Sequence, residues 1–346
     1  MASIEIVSIN GYTAFEEVRV RAGFNEAARS FSAKLAAELG ASATNRIFDV
    51  GTEVTITTNG ELLLTGYVDS KEPHIAATEA YITISGRSKS ADLVDSSGKH
   101  ETGYFENKDP LEIGRAISEG IAAQWETDQQ LEKVEQYKLQ QGETCFRCVE
   151  KLARQQGMTI HGTAEGNARI TKAGAKRQAG SLVEGVNIKS GTAHHNGSNR
   201  HSTIIVRGQR PFGHGDENLQ IEAIEQDGAV KRNRPLIIVQ DEDTDKNRAK
   251  KRAKNRKDRA AGNALKATIV VQGFHDDAGQ LWEAGSLVWT ESPFLDIAQD
   301  MLIESCDFNQ SDGGSVTTLS LVDPRAYGGE GSEGSGNKSG GEWSFG

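Results

Sequence analysis

Cysteine is scarce in this chain: three in 346 residues, too few to build a disulfide framework. Long apolar runs are missing too, and nothing approaches the roughly 18 consecutive apolar residues of a membrane-spanning helix. The first residues, Met1-Ala-Ser-Ile-Glu-Ile-Val, lack the basic segment and apolar core of a secretory signal. These absences predict a protein made and folded in a reducing cytoplasm, without membrane insertion. Aromatic residues are 6% and hydrophobic residues 36% of the chain, against 38 glycines. That balance favours many turns and a β-rich, single-layered construction over one thick core. Positive charge is outnumbered, 39 Lys and Arg to 49 Asp and Glu, a net charge of −10, which argues against general nucleic-acid binding. The length suits two or three compact domains.

The chain also lacks G-x-S-x-G, H-E-x-x-H, a phosphate-cradling glycine loop and a protease-like Cys/His context. The expectation is a protein with no catalytic residues and no cofactor, although abundant Asp and Glu leave a glycosidase-type carboxylate pair open.

What is present centres on Arg234 to Tyr327. The β-branched runs Pro235 to Gln240 and Ala267 to Gly273 read as strands. Between them, residues 241–263 read as a helix: Asp241, Asp243 and Asp245 put acid at its N-terminus, and Lys and Arg fill the turns that follow. Ala249, Ala253, Ala260 and Ala264 form a narrow small-residue stripe at 100° per residue, and the other faces are strongly basic. Beyond lie Gln280-Leu-Trp, the alternating runs Met301 to Phe308 and Ser315 to Val322, and Asp323-Pro-Arg-Ala-Tyr327.

This order of parts resembles the Mu-type baseplate hub protein of contractile-tailed phages, the late control protein D family. The likeness is carried by Arg234-Pro-Leu-Ile-Ile-Val, the Arg/Lys/Ala helix, Val271-Gln-Gly-Phe, Gln280-Leu-Trp and Leu321-Val-Asp-Pro, with a further block from Gly86 to Asp95. The spacing matches over most of the chain to about Tyr327. The resemblance implies a non-enzymatic hub of the virion tail, assembled in the host bacterial cytoplasm. It implies a homotrimer between the sixfold tail tube and the threefold central spike. Partners would be the spike, a tube or tube-initiator protein and baseplate wedge proteins, with no specific nucleic acid.

In chain order, residues 1–95 alternate as strands, with Asn59-Gly60 supplying the positive φ of a type I′ hairpin turn. Asp109-Pro110 opens a helix as N-cap and first residue. Residues 143–156 form another helix, ending at Gly157, so residues 96–180 read as a small α/β insert. Alternation returns with Val186-Asn-Ile-Lys and Thr203 to Arg207 around a polar connection, opening a second sheet over 181–327. Residues 328–346 are a flexible tail rich in Gly, Ser, Glu and Asn. The order of strands after Gly51-Thr-Glu-Val-Thr-Ile recurs after Gly285-Ser-Leu-Val-Trp-Thr. The fold expected is therefore α+β, mainly β: two similar antiparallel tube-like barrels, an α/β insert and a flexible tail. Three such chains in a ring present six similar barrels.

Other constellations favour bland readings. Cys145 and Cys148 have metal spacing, with His161 downstream, but share the apolar stripe with Val149 and Leu152 and lack partners to complete a zinc site. Asp241 to Asn247 imitates a calcium loop but has Lys246 where glycine is needed and Arg252 where a bidentate Glu is needed. No metal is expected. His194 and His195, on a connection, point to opposite faces of an extended chain. The partner-contact candidates are Lys250, Lys251 and Lys254 on the basic helix, read as a face for an acidic partner. Trp343 and Phe345 join them at the end of the tail, as a tethered aromatic tip. The alternatives are a cell-wall-directed enzyme or glycan-binding module using the insert, and the spike-head protein of a contractile secretion system. The latter continues into a long β-helix, whereas this sequence closes on a Gly/Ser tail.

Overall fold

The computed structural model describes residues 5–36, 48–208, 221–240 and 245–329. The chain is α+β and mainly β. By contact it falls into two compact units. The first comprises the described residues of Met1–Gly191, Thr268–Ala298 and Leu302–Leu321; the second those of Thr192–Ala267, Gln299–Met301 and Val322–Gly346.

The chain opens with β1 (Val7–Ile9), β2 (Glu17–Gly23), β3 (Ser30–Ala36), β4 (Glu53–Thr58), β5 (Glu61–Ile75), β6 (Ala80–Ser88) and the short helix α1 (Ala91–Asp95). Period-two patterning turns one face inward: Val18, Val20 and Ala22 of β2 and Phe31, Ala33 and Leu35 of β3 are all buried. Asn59 and Gly60 carry φ of 48° and 89°, as the β4–β5 turn requires. Pairing is antiparallel throughout β4–β5–β6–β3–β2.

Next come β7 (Tyr104–Lys108), α2 (Pro110–Ile117), β8 (Trp125–Thr127), β9 (Val134–Lys138), α3 (Cys145–Gln155), β10 (Thr159–Gly162) and β11 (Ala168–Thr171). Asp109 accepts from the Glu112 amide at 2.8 Å and Glu112 accepts back from the Asp109 amide at 3.1 Å, a reciprocal cap on α2. These elements share one apolar core, including Ile113, Trp125, Val149, Leu152 and Ile170. Cys145 and Cys148 lie fully inside it. Burial raises both thiols, Cys148 to about 11, so they behave as small hydrophobes.

A clasp ties this insert to the first sheet. Arg29, in the β2–β3 connection, donates to the Gly162 carbonyl at 3.2 Å and the Leu63 carbonyl at 2.7 Å. The Gly162 amide donates to the Glu26 carbonyl at 3.0 Å. A Cβ at Gly162 would lie 2.9 Å from the Ala27 carbonyl oxygen, so only glycine permits this approach.

The remainder holds β12 (Lys176–Val183), β13 (Ile188–His195), β14 (Thr203–Gly208), β15 (Ile221–Gln226), β16 (Pro235–Gln240), α4 (Lys246–Gly262), β17 (Leu265–Gln272), β18 (Ser286–Ser292), β19 (Ile297–Ser311) and β20 (Gly314–Val322). The large sheet runs β1-β4-β5-β6-β3-β2-β19-β20-β17-β13, with β18 joined to β19 and β12 to β18. Two local expectations change. Val186 sits in a turn rather than a strand, because Gly185 takes φ 77° and the Asn187 side chain binds the Val183 amide and the Ser181 carbonyl. His194 and His195 close β13 instead of lying on a connection, and both are exposed.

Candidate functional site

The basic helix and the sheet beneath it form the second unit. β14 pairs antiparallel with β15 and parallel with β16. On one face of this three-stranded sheet Ile204, Val206, Ile221 and Ala223 are buried, and they meet Ala249 and Ala253 of α4 in one cluster. Small residues are needed on that stripe because they let the helix backbone approach the sheet. At its other end, a Cβ on Gly262 would stand 2.1 Å from the Ala326 amide nitrogen, so the 3₁₀ turn Pro324–Tyr327 crosses directly on the helix. That turn is capped by Asp323, which accepts from the Arg325 amide and its guanidinium at 2.7 to 2.9 Å. Burial alone would raise the Asp323 carboxyl, but its hydrogen bonds to Arg325 hold it below the usual carboxylate range.

α4 begins at Lys246 with Asp245 as N-cap, accepting from the Arg248 amide at 2.8 Å. Asp241 and Asp243, and with them most of the calcium-like loop, lie outside the described residues. Lys250, Lys251 and Lys254 are all exposed, within about 100° of arc at helical spacing. Among the described residues none of the three makes an ion pair, whereas Lys257 reaches Glu225 at 3.0 Å. The structure thus gathers these three lysines on one solvent-facing strip. Trp343 and Phe345 lie outside the described residues.

Sequence reasoning missed two apolar features. The sheet face opposite α4 leaves Ile224, Ile237 and Val239 half or more exposed. Ile237 and Val239 belong to a run read simply as a strand, and because Leu236 to Val239 are apolar without interruption the sequence carries no signal of which face is covered. In the first unit, Phe294 is 88% exposed at the turn between β18 and β19.

The first unit also contains a polar cavity of about 600 Å³, lined by Arg29, His161, Glu165, Arg169, Lys176 and Glu283 among others. Lys176 pairs with Glu283 at 2.7 Å and Arg169 with Glu126 at 2.8 Å. Burial, with the positive charges of Arg29, Arg169 and Lys176, drives His161 down to about 3, so it is neutral near pH 7. Burial would raise Glu165, but a backbone amide and the Thr163 hydroxyl hold it below the usual range, the opposite of a raised general acid. At the cavity, one ion pair joins β8 and β11 and one joins β12 and the segment before β18. Among the described residues no cluster of His, Cys, Asp and Glu has the make-up of a metal site.

Three domain families match the chain in order. They are described as Mu phage baseplate assembly protein GpP-like, N-terminal, over residues 6–88; baseplate hub protein gp44-like, second domain, over 90–172; and Mu phage baseplate assembly protein GpP, fourth domain, over 245–330. The baseplate hub protein gp44 of Escherichia phage Mu is 24% identical over 287 residues, 80% of this chain and 76% of that protein. A 43 kDa tail protein of prophage MuSo2 from Shewanella oneidensis superposes with a TM-score of 0.81 at 26% identity, covering 93% of this chain and 99% of that one. A tail protein from Neisseria meningitidis shares the fold at a TM-score of 0.75 and 19% identity, covering 94% and 99%. With three domains matched in sequence order and the fold shared nearly end to end, the chain belongs to the Mu-type baseplate hub protein family of contractile-tailed phages.

Proposed function

We propose that this chain forms a homotrimeric hub ring that adapts the sixfold tail tube to the threefold central spike. The coarser statement, a structural baseplate hub protein of a phage tail, follows from its family. One structural observation supports the finer one. Strands β4, β5 and β6 have 6, 15 and 9 residues, and β18, β19 and β20 have 7, 15 and 9, each triplet in sequence order within the large sheet. In that sheet the triplets are joined through β3 and β2, with β2 pairing antiparallel with β19. Two like three-stranded motifs per chain give six in a threefold ring, the match a sixfold tube needs.

In this reading residues 1–95 and 181–327 build two tube-like barrels, 96–180 an insert and 328–346 a tail. The ring contacts the central spike, a tube or tube-initiator protein and wedge proteins, and assembles in the host cytoplasm. Lys250, Lys251 and Lys254 dock an acidic partner. Trp343 and Phe345 insert into a groove of the spike or of a neighbouring subunit. The test is the solution mass of the full chain, alone and with its spike: a three-subunit species supports the reading. A strict monomer at high concentration, with no assembly on adding spike, overturns it. Incubation with purified peptidoglycan should give neither lysis nor co-pelleting; either would favour a cell-wall enzyme or a glycan binder instead.

A further inference from the structure

We propose that the β18–β19 turn of one subunit seats on the outer face of the β14–β15–β16 sheet of a second copy of this chain. The inference rests on the ring reading above and names the contact that closes it.

The turn is a rigid apolar knob. Phe294 is 88% exposed, yet the backbone carrying it is tied down. Glu184 Oε2 accepts from the Ser292 hydroxyl at 2.5 Å and from the Phe294 amide at 3.0 Å. The Leu295 amide donates to Ser292 Oγ at 3.3 Å, and the Glu184 amide to the Glu291 carbonyl at 2.9 Å. Asp296 takes φ 55° to close the turn. Holding a large aromatic in water by a turn this constrained lowers the entropy lost when it docks. The knob is flanked by acid: Glu184, Glu291 and Asp296 are all exposed.

The second surface is apolar at its centre and basic at one edge. Ile205 faces Ile224 on one neighbouring strand and Ile237 on the other, and Arg207 faces Val239, all on the side away from α4. Ile224, Ile237 and Val239 are 52%, 51% and 65% exposed. The turn leading into β16 carries exposed Lys231 and Arg232. On this face Arg207 pairs with Glu222 at 2.8 Å, so the added positive charge of the face sits at the Lys231 and Arg232 edge. An apolar knob flanked by acid and an apolar face with that basic edge are complementary in polarity and charge, which points to a second copy as the occupant. Made head-to-tail between copies related by a threefold rotation, a contact between two such different surfaces closes a ring of three.

The experiment uses the full-length chain and two exposed-site variants, Phe294→Asp and Ile237→Asp, checked for an unchanged circular dichroism spectrum. Solution mass is measured over a concentration series. Each variant should weaken self-association by about tenfold or more. Mixing the two should restore one intact contact, giving a one-to-one dimer but no ring. A wild-type ring that both variants form equally well overturns this inference and leaves the ring reading standing. A wild-type chain that stays monomeric, alone and with spike, overturns both. As a second readout, a chain carrying Phe294→Cys and Ile237→Cys should form inter-subunit disulfides under oxidation; a ring that yields none also overturns the contact.

Discussion

Arg29 is a part-buried cation whose hydrogen bonds go to uncharged acceptors, and its loss should be felt. Burial lowers its proton affinity, and its head is spent on two backbone carbonyls belonging to different parts of the first unit. Arg29→Ala leaves both carbonyls without a donor and should cost on the order of 2 kcal/mol, read as a lower urea midpoint. A midpoint unchanged within error would show that the clasp is redundant. Nothing in the sequence marks Arg29, because its partners are main-chain atoms 34 and 133 residues away. Glu5 is a second such centre: its buried carboxylate accepts from Thr58, Asn59 and the Phe274 amide and contacts His275 at 2.9 Å. Burial alone would lower His275, but the hydrogen bond and charge of Glu5, with the charge of Glu61, raise it above its usual 6.5. A raised folded value means the contribution is fully present below about pH 6.5 and is lost as pH rises through the folded value. Thermal midpoints of the wild type should therefore lose an increment across that window that His275→Gln does not lose. Parallel pH profiles for the two proteins would refute the assignment.

At the scale of elements, local chemistry was legible and long-range partnering was not. Asn59-Gly60, Asp109-Pro110 and the Cys145, Cys148, Val149, Leu152 stripe each specify their structure within a few residues, and each formed as expected. β12 escaped notice because Lys176-Arg-Gln-Ala-Gly-Ser has no clean alternation and its parallel pairing with β18 shifts register between Arg177 and Ser181. Its partner lies about a hundred residues downstream. The exposure of Phe294 was equally hidden, since Ser-Pro-Phe-Leu-Asp says turn without saying which side chain faces water. The basic helix was legible in its alanine stripe, and the structure adds that Lys250, Lys251 and Lys254 face solvent. Reversing these three to Glu should leave the circular dichroism spectrum unchanged, weaken assembly with neighbouring tail proteins and flatten its salt dependence. Unaltered assembly and salt response would make the strip a solvated face only.

For the whole molecule, the recurrence of one strand order in a single chain connects sequence to symmetry. It was visible as a matching succession of runs, and the paired lengths of β5 with β19 and β6 with β20 sharpen it. Docking of the tail tip belongs at this scale: with the other tryptophans replaced, Trp343 emission should shift blue when hub and spike assemble, and a fully solvent-like emission would reject docking. The central claim is the threefold ring, and the most direct measurement is the native mass of the 37.3 kDa chain in complex with its central spike. The account predicts three copies of this chain per complex. One, two or six copies, or no complex at all, would contradict it.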